Sequence, residues 1–131
     1  MGEQKTYVAV VDDDESFARA IGRLLRAAGL EAILYPSAEA FLLPVPMPNP
    51  DCVILDIHMR GMSGLELQRR LGREGNTTPI IFVTAHDEPE VREQAYSAGC
   101  AAYFRKPVPG QCLLDAIRKA APQKRPLTTD H

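Results

Sequence analysis

Cysteine is scarce in this chain of 131 residues: there are three, Cys52, Cys100 and Cys112, with no CxxC pair and no spacing that suits a metal. An odd, scattered set excludes a disulfide framework, and all three are expected to be small buried thiols in a reducing compartment. The chain also lacks any apolar run near the roughly 18 residues of a membrane span. One uncharged stretch, AFLLPVPMPNP (40–50), carries four prolines that forbid a helix through its second half. The opening MGEQKTYVAVV has no small-residue cleavage site after its short apolar segment, so it does not read as a secretion signal. A cytoplasmic location is the resulting expectation. Charge of one sign is not in excess either: Lys and Arg number 15, Asp and Glu 17, and the net charge is -2. That balance excludes a nucleic-acid surface driven by bulk charge.

What is present is an ordinary globular mixture, 45% hydrophobic and 24% charged. The length suits one domain at roughly 100–200 residues each. Such a chain buries about two-thirds of its unfolded surface and needs no metal or disulfide to fold.

Short apolar runs alternate with helical patterns. YVAVV (7–11) has no polar alternation, as expected of a strand buried on both faces. Phe17, Ile21, Leu24, Leu25 and Ala28 then fall at helical spacing, opposite Arg19, Arg23 and Arg26, with Gly29 as a left-handed stop. EAILY (31–35) is a weaker strand, and Ser37 caps a short helix after it. PVPMPNP (44–50) reads as a stiff extended connector to the buried strand CVILD (52–56). Ser63 and Glu66 form a capping box opening a helix to about Leu71. IIFVT (80–84), a helix from Glu88 to Ala98, AAYF (101–104) and a helix over 111–121 complete the pattern. Residues 122–131 form a polar tail expected to fray. Strands alternating with helices imply a parallel sheet covered on both faces, whose functional residues gather beyond the strands' carboxyl ends.

At those ends stand Asp12, Asp13 and Asp14, then Asp56, then Thr84, then Lys106. If the ends share one edge, several carboxylates, a hydroxyl and an ammonium meet in a cleft. Carboxylates so close resist ionising together unless a hard divalent cation joins them, and an oxygen-only set suits Mg²⁺. No His/Cys cluster suggests zinc. An aspartate can attack a phosphoryl group, with a metal and a cationic side chain neutralising charge. Asp56 as nucleophile, Lys106 as clamp and Thr84 as hydroxyl donor suffice for that chemistry. Read alone, Asp12 and Asp13 serve equally well as helix-start acids, and Asp14 is assigned to that role.

VVDDDE (10–15), LDIHMRGMSGLEL (55–67), PIIFVTAHD (79–87) and AGCAAYFRKP (98–107) together resemble the receiver domain of two-component response regulators. The resemblance runs from about Tyr7 to Ala121, and SAEAFL with MSGLEL is most like receivers of nitrogen-fixation-type transcription regulators. It implies a receiver domain over 1–121 with a flavodoxin-like, doubly wound α/β fold: five parallel strands in the order 2-1-3-4-5 and five helices. Asp13 would bind Mg²⁺ directly and Asp12 through water. Asp56 would be phosphoacceptor and metal ligand, and the His58 backbone carbonyl would complete the metal's protein ligands. Thr84 would be the switch hydroxyl, Tyr103 the switch aromatic and Lys106 the phosphate-pairing lysine, followed by a cis bond to Pro107. The implied partners are a sensor histidine kinase or histidine phosphotransfer protein. A DNA-binding output domain beyond this chain and a phosphorylation-dependent homodimer fit the same resemblance. The chain would catalyse only its own phosphorylation and dephosphorylation.

Arg60 departs from the proline usual there in the family, which is expected to loosen the loop after Asp56. Tyr103 and Phe104 point to opposite sheet faces, one expected in the core and the other semi-exposed. His58 and His86, each two residues beyond a site residue, are candidates for controlling water access to a phosphoryl group. The rival functions are weaker. An aspartyl-phosphate hydrolase needs a second Asp where His58 stands. A flavin site needs a glycine- and hydroxyl-rich loop where three acids follow the first strand. A receiver that binds without phosphorylation would not need Asp13, Asp56, Thr84 and Lys106 together.

Overall fold

The structure is a computed structural model and describes residues 5–121; the expected tail over 122–131 lies outside them. Ten elements alternate along the chain: β1 (Tyr7–Val11), α1 (Glu15–Ala27), β2 (Glu31–Tyr35), α2 (Ala38–Leu42), β3 (Cys52–Leu55), α3 (Gly64–Arg73), β4 (Ile80–Thr84), α4 (Pro89–Ser97), β5 (Ala102–Arg105) and α5 (Gly110–Ala120). All strand pairs are parallel, in the order β2-β1-β3-β4-β5. The fold is therefore flavodoxin-like, and the order reverses between β1 and β3.

Alternation along the strands divides the core into two layers. Val8, Val10, Cys52, Ile54, Ile81 and Val83 face α1 and α5, which supply Ala18, Ile21, Leu25, Leu113, Leu114 and Ile117. Ala9, Val11, Val53, Leu55 and Phe82 face α2, α3 and α4, which supply Ala38, Leu65, Leu67, Leu71 and Ala95. A fully buried Leu or Ile contributes about 1.5–3 kcal/mol by leaving water, so the three central strands carry most of the cohesion. α4 is lightly held for its length: Ala95 is its one buried residue, and its N-cap, Glu88, makes no side-chain capping bond.

Local chemistry accounts for the boundaries. Asp14 Oδ1 accepts the Phe17 N–H at 3.1 Å and caps α1. Ser63 Oγ accepts the Glu66 N–H at 3.1 Å while Glu66 accepts the Ser63 N–H at 2.8 Å, closing the capping box of α3. The proline connector is not extended as its composition suggests. Val45 and Met47 each donate an N–H to the carbonyl two residues back, at 2.8 Å, crimping the chain into successive γ-turns. Among the described residues no helix is long and apolar enough to cross a membrane.

The cysteines correct one expectation. Cys52 and Cys100 are buried, but Cys112 is exposed on α5, because its turn of that helix presents Leu113 and Leu114 to the sheet instead. Burial pushes the Cys52 thiol up to about 12 and that of Cys100 up to about 11. Titration of the native protein with a thiol-reactive disulfide is therefore expected to show one fast-reacting group, lost in Cys112→Ser; fast reaction in that variant would contradict the packing.

Candidate functional site

Parallel register brings β1 and β3 to a common edge. The Asp12 N–H donates to the Tyr35 carbonyl and the Asp56 N–H to the Val11 carbonyl, both at 3.1 Å, so both acids leave the sheet from the last rungs of its ladder. Asp12 and Asp56 are 3% and 7% exposed, too buried for water alone to screen them. Each of Asp12, Asp13 and Asp56 offers a carboxylate oxygen within 4.8 Å of the other two. Oxygen donors this close are a hard-cation set, with no sulfur or nitrogen ligand among them.

Lys106 arrives from the end of β5 on the opposite side. Its N–H donates to the Thr84 carbonyl at 2.7 Å, and the Lys106–Pro107 peptide is cis. Its Nζ donates to Asp12 Oδ2 at 2.8 Å and stands 3.7 Å from Asp56 Oδ2. The ammonium also lies 4.1 Å from the centre of the Phe17 ring, whose face attracts a cation. Phe17 is thus part of the site's floor as well as of the α1 core face.

One ammonium does not offset three carboxylates. Burial pushes the Asp56 carboxyl up to about 6, and the neighbouring Asp12 charge adds to the rise. Lys106 and the Ile57 N–H, which donates to Asp56 Oδ1 at 2.7 Å, pull the other way and are outweighed. Asp56, buried beside like charges, is thus pushed towards its neutral form, and added positive charge at the site would oppose that push.

The loop from Ile57 to Ser63 is held tightly. Gly64 donates its N–H to the Ile57 carbonyl at 2.8 Å, and a Cβ on Gly64 would run into the Asp56 backbone carbonyl. Only glycine lets α3 start this close to the acid. Glu39 of α2 accepts the Met62 N–H at 2.8 Å. Gly61, at φ 80°, has its absent Cβ position only 2.5 Å from the same carboxylate. His58 Nε2 lies 2.9 Å from Glu88 Oε1, and its ring meets the His86 ring edge-on at 5.5 Å between centres. Arg60 does not loosen this loop: it has the backbone N–H that proline lacks and donates it to Asp13 Oδ2 at 3.2 Å.

Thr84 is fully buried. Its hydroxyl pairs with the His86 backbone, accepting the N–H at 3.2 Å and donating to the carbonyl at 3.4 Å. Phe82 is in register with Tyr103, so Thr84, two residues further along β4, lies on the same sheet face as Tyr103. Tyr103 is half-buried against Phe82 and Tyr96, at 6.2 and 6.4 Å between ring centres, and its buried hydroxyl has no hydrogen-bond partner. Phe104 is half-buried on the other face. Neither aromatic is fully in the core, because β5 is an edge strand.

Three contributors escaped the sequence reading: Glu39, Phe17 as a cation-binding ring, and Glu88 as the partner of His58. Glu39 and Glu88 look like acids at helix starts, and nothing in their spacing points to a loop more than twenty residues away.

A doubly wound sheet with three acids gathered at its switch point and a lysine opposite defines a class of α/β domains with a charged site at the strand ends, and comparison narrows it. The model of the response regulator receiver domain matches residues 8–118, and the chain belongs to that family. It is 39% identical over 128 residues to the response regulator protein TmoT of Ectopseudomonas mendocina, covering 95% of this chain and 58% of that protein. It is 30% identical to the transcriptional regulatory protein FixJ of Bradyrhizobium diazoefficiens, covering 93% of this chain and 60% of FixJ. The chain thus spans little more than half the length of these relatives. The crystal structure of a response regulator receiver protein from Burkholderia phymatum matches with a TM-score of 0.79 at 46% identity, covering 94% of this chain and all of that one.

The raised Asp56 carboxyl has a consequence for stability. Its folded value, about 6, lies above the ordinary 3.8, so ionising it favours the unfolded chain, and stability falls as pH rises from about 4 through about 6. Asp56→Asn should stabilise the metal-free protein at pH 8 by on the order of 2–3 kcal/mol, with the gain gone near pH 4. Urea unfolding in EDTA at the two pH values measures this; an equal gain at both would contradict it.

Proposed function

We propose that this receiver domain, taken as residues 1–121, accepts a phosphoryl group on Asp56 from a sensor histidine kinase or histidine phosphotransfer protein. The observation that carries the reading is the convergence of Asp12, Asp13 and Asp56 within 4.8 Å, with Lys106 bonded to one carboxylate and beside another. An Asp56 oxygen forms the bond to phosphorus as the donor's phosphorus–nitrogen bond breaks, and the imidazole nitrogen leaves with the electron pair. Lys106 keeps its place between Asp12 and the reacting oxygen and takes up charge on the phosphoryl group. The all-oxygen donor set and the unbalanced charge at Asp56 fit Mg²⁺. Asp12, Asp13, Asp56 and the His58 carbonyl would hold the ion, which would supply positive charge against the phosphoryl oxygens.

Thr84 is the switch hydroxyl in this reading. Its bonds to the His86 backbone are long, and exchanging them for a phosphoryl oxygen costs little. Tyr103, with an unsatisfied hydroxyl and a place on the same sheet face, then moves with it. α4 is held by little apolar burial, so the surface of α4, β5 and α5 is the element that such a modification biases between two states. His58 and His86 flank the path of water to the acyl phosphate and set its lifetime, the chain acting only on its own phosphoryl group. The relatives' greater length supports a DNA-binding output domain beyond this segment, with the receiver surface passing on the signal or pairing with a second copy.

Incubation with labelled acetyl phosphate and Mg²⁺ tests the assignment. One labelled site is expected in the parent and none in Asp56→Ala, with the variant's fold checked by circular dichroism. Undiminished labelling of the variant would move the phosphoacceptor elsewhere.

A further inference from the structure

Two cations pair with the three site carboxylates among the described residues, and they differ in kind. Lys106 is 15% exposed and lies against Asp12 and Asp56. Arg60 is 91% exposed, and its Nε stands 3.7 Å from Asp13 Oδ2, the oxygen that also accepts its backbone N–H. One charge is built into the floor, and the other waits at the rim beside the most exposed of the three acids.

We propose that Arg60 is a charge-selecting residue of this site, opposing the divalent cation at Asp13 and drawing in the dianionic phosphoryl group of the donor. The inference rests on Asp56 being the phosphoacceptor. A guanidinium paired with a metal ligand must either give up that carboxylate or remain beside two added positive charges, and both weaken metal binding. The same positive charge favours a dianion, and its planar fork matches phosphoryl oxygens. Lys106 is enclosed and committed to Asp12, whereas Arg60 stands exposed at the rim, where an incoming donor can reach it. Because the pair is exposed, each effect should be about two- to fivefold and should shrink as salt screens it.

The backbone N–H does not depend on the side chain, so Arg60→Ala removes the charge and leaves the loop's hydrogen bond to Asp13. Arg60→Lys keeps the charge. Calorimetry of Mg²⁺ binding without donor should show about two- to fivefold tighter binding in the Ala variant and near-parental binding in the Lys variant. At saturating Mg²⁺, half-maximal labelling rate should need about two- to fivefold more acetyl phosphate in the Ala variant, and the gap should close in high salt. Unchanged or weaker Mg²⁺ binding in Arg60→Ala, or an unchanged acetyl phosphate requirement, overturns the proposal. Parent and Ala variant labelling alike would be a failure of Arg60 alone. A parent that takes no label in any salt would overturn the phosphoacceptor reading together with it.

Discussion

Like charges forced together at the end of a buried sheet are the constraint from which the rest of this structure follows. Asp12 and Asp56 leave neighbouring strands at the last rung of their ladder, almost without access to water, and Asp13 stands beside them. Lys106 relieves part of the repulsion, held between the two buried acids and over the Phe17 ring. Burial first, and the Asp12 charge after it, still hold the Asp56 carboxyl above its ordinary range, and Lys106 does not offset them. Such an arrangement costs stability in the resting protein and is kept for what it binds.

The fold places this cost where it can be used. Three central strands bury both faces, and α1 and α5 cover one side while α2, α3 and α4 cover the other. The strand order reverses between β1 and β3, so a crevice opens at their carboxyl ends. Around it the backbone is tied down by Glu39 on Met62, Asp13 on Arg60 and Gly64 on Ile57. The far side is looser, with α4 anchored chiefly at Ala95 and the Tyr103 hydroxyl unsatisfied. A rigid site joined to a lightly held helix suits a signalling element, since a local charge change can shift the loose part without disturbing the firm one.

Much of this was legible in the sequence. The unbroken apolar runs of β1, β3 and β4 announce strands buried on both faces, and the acids immediately after β1 and β3 announce an edge where charge collects. The capping residues Asp14 and Ser63 mark helix starts because their side chains compete for free N–H groups. What stayed hidden depends on distance in space. Glu39 and Glu88 find partners in a loop folded against them from elsewhere in the chain. Cys112 has apolar neighbours in sequence, yet helical rotation turns it outward. Arg60 looked like a loss of rigidity because the missing proline ring is visible in sequence and the gained N–H bond to Asp13 is not.

The central claim is that Asp13 and Asp56 share one divalent cation. Anomalous diffraction from crystals soaked in Mn²⁺, a substitute for Mg²⁺ with a usable signal, tests it most directly. One peak within ligand distance of both carboxylates, and absent from Asp13→Asn crystals, is the result this account predicts. A peak elsewhere, or a site that stays empty at saturating Mn²⁺ with both acids ionised, would contradict it.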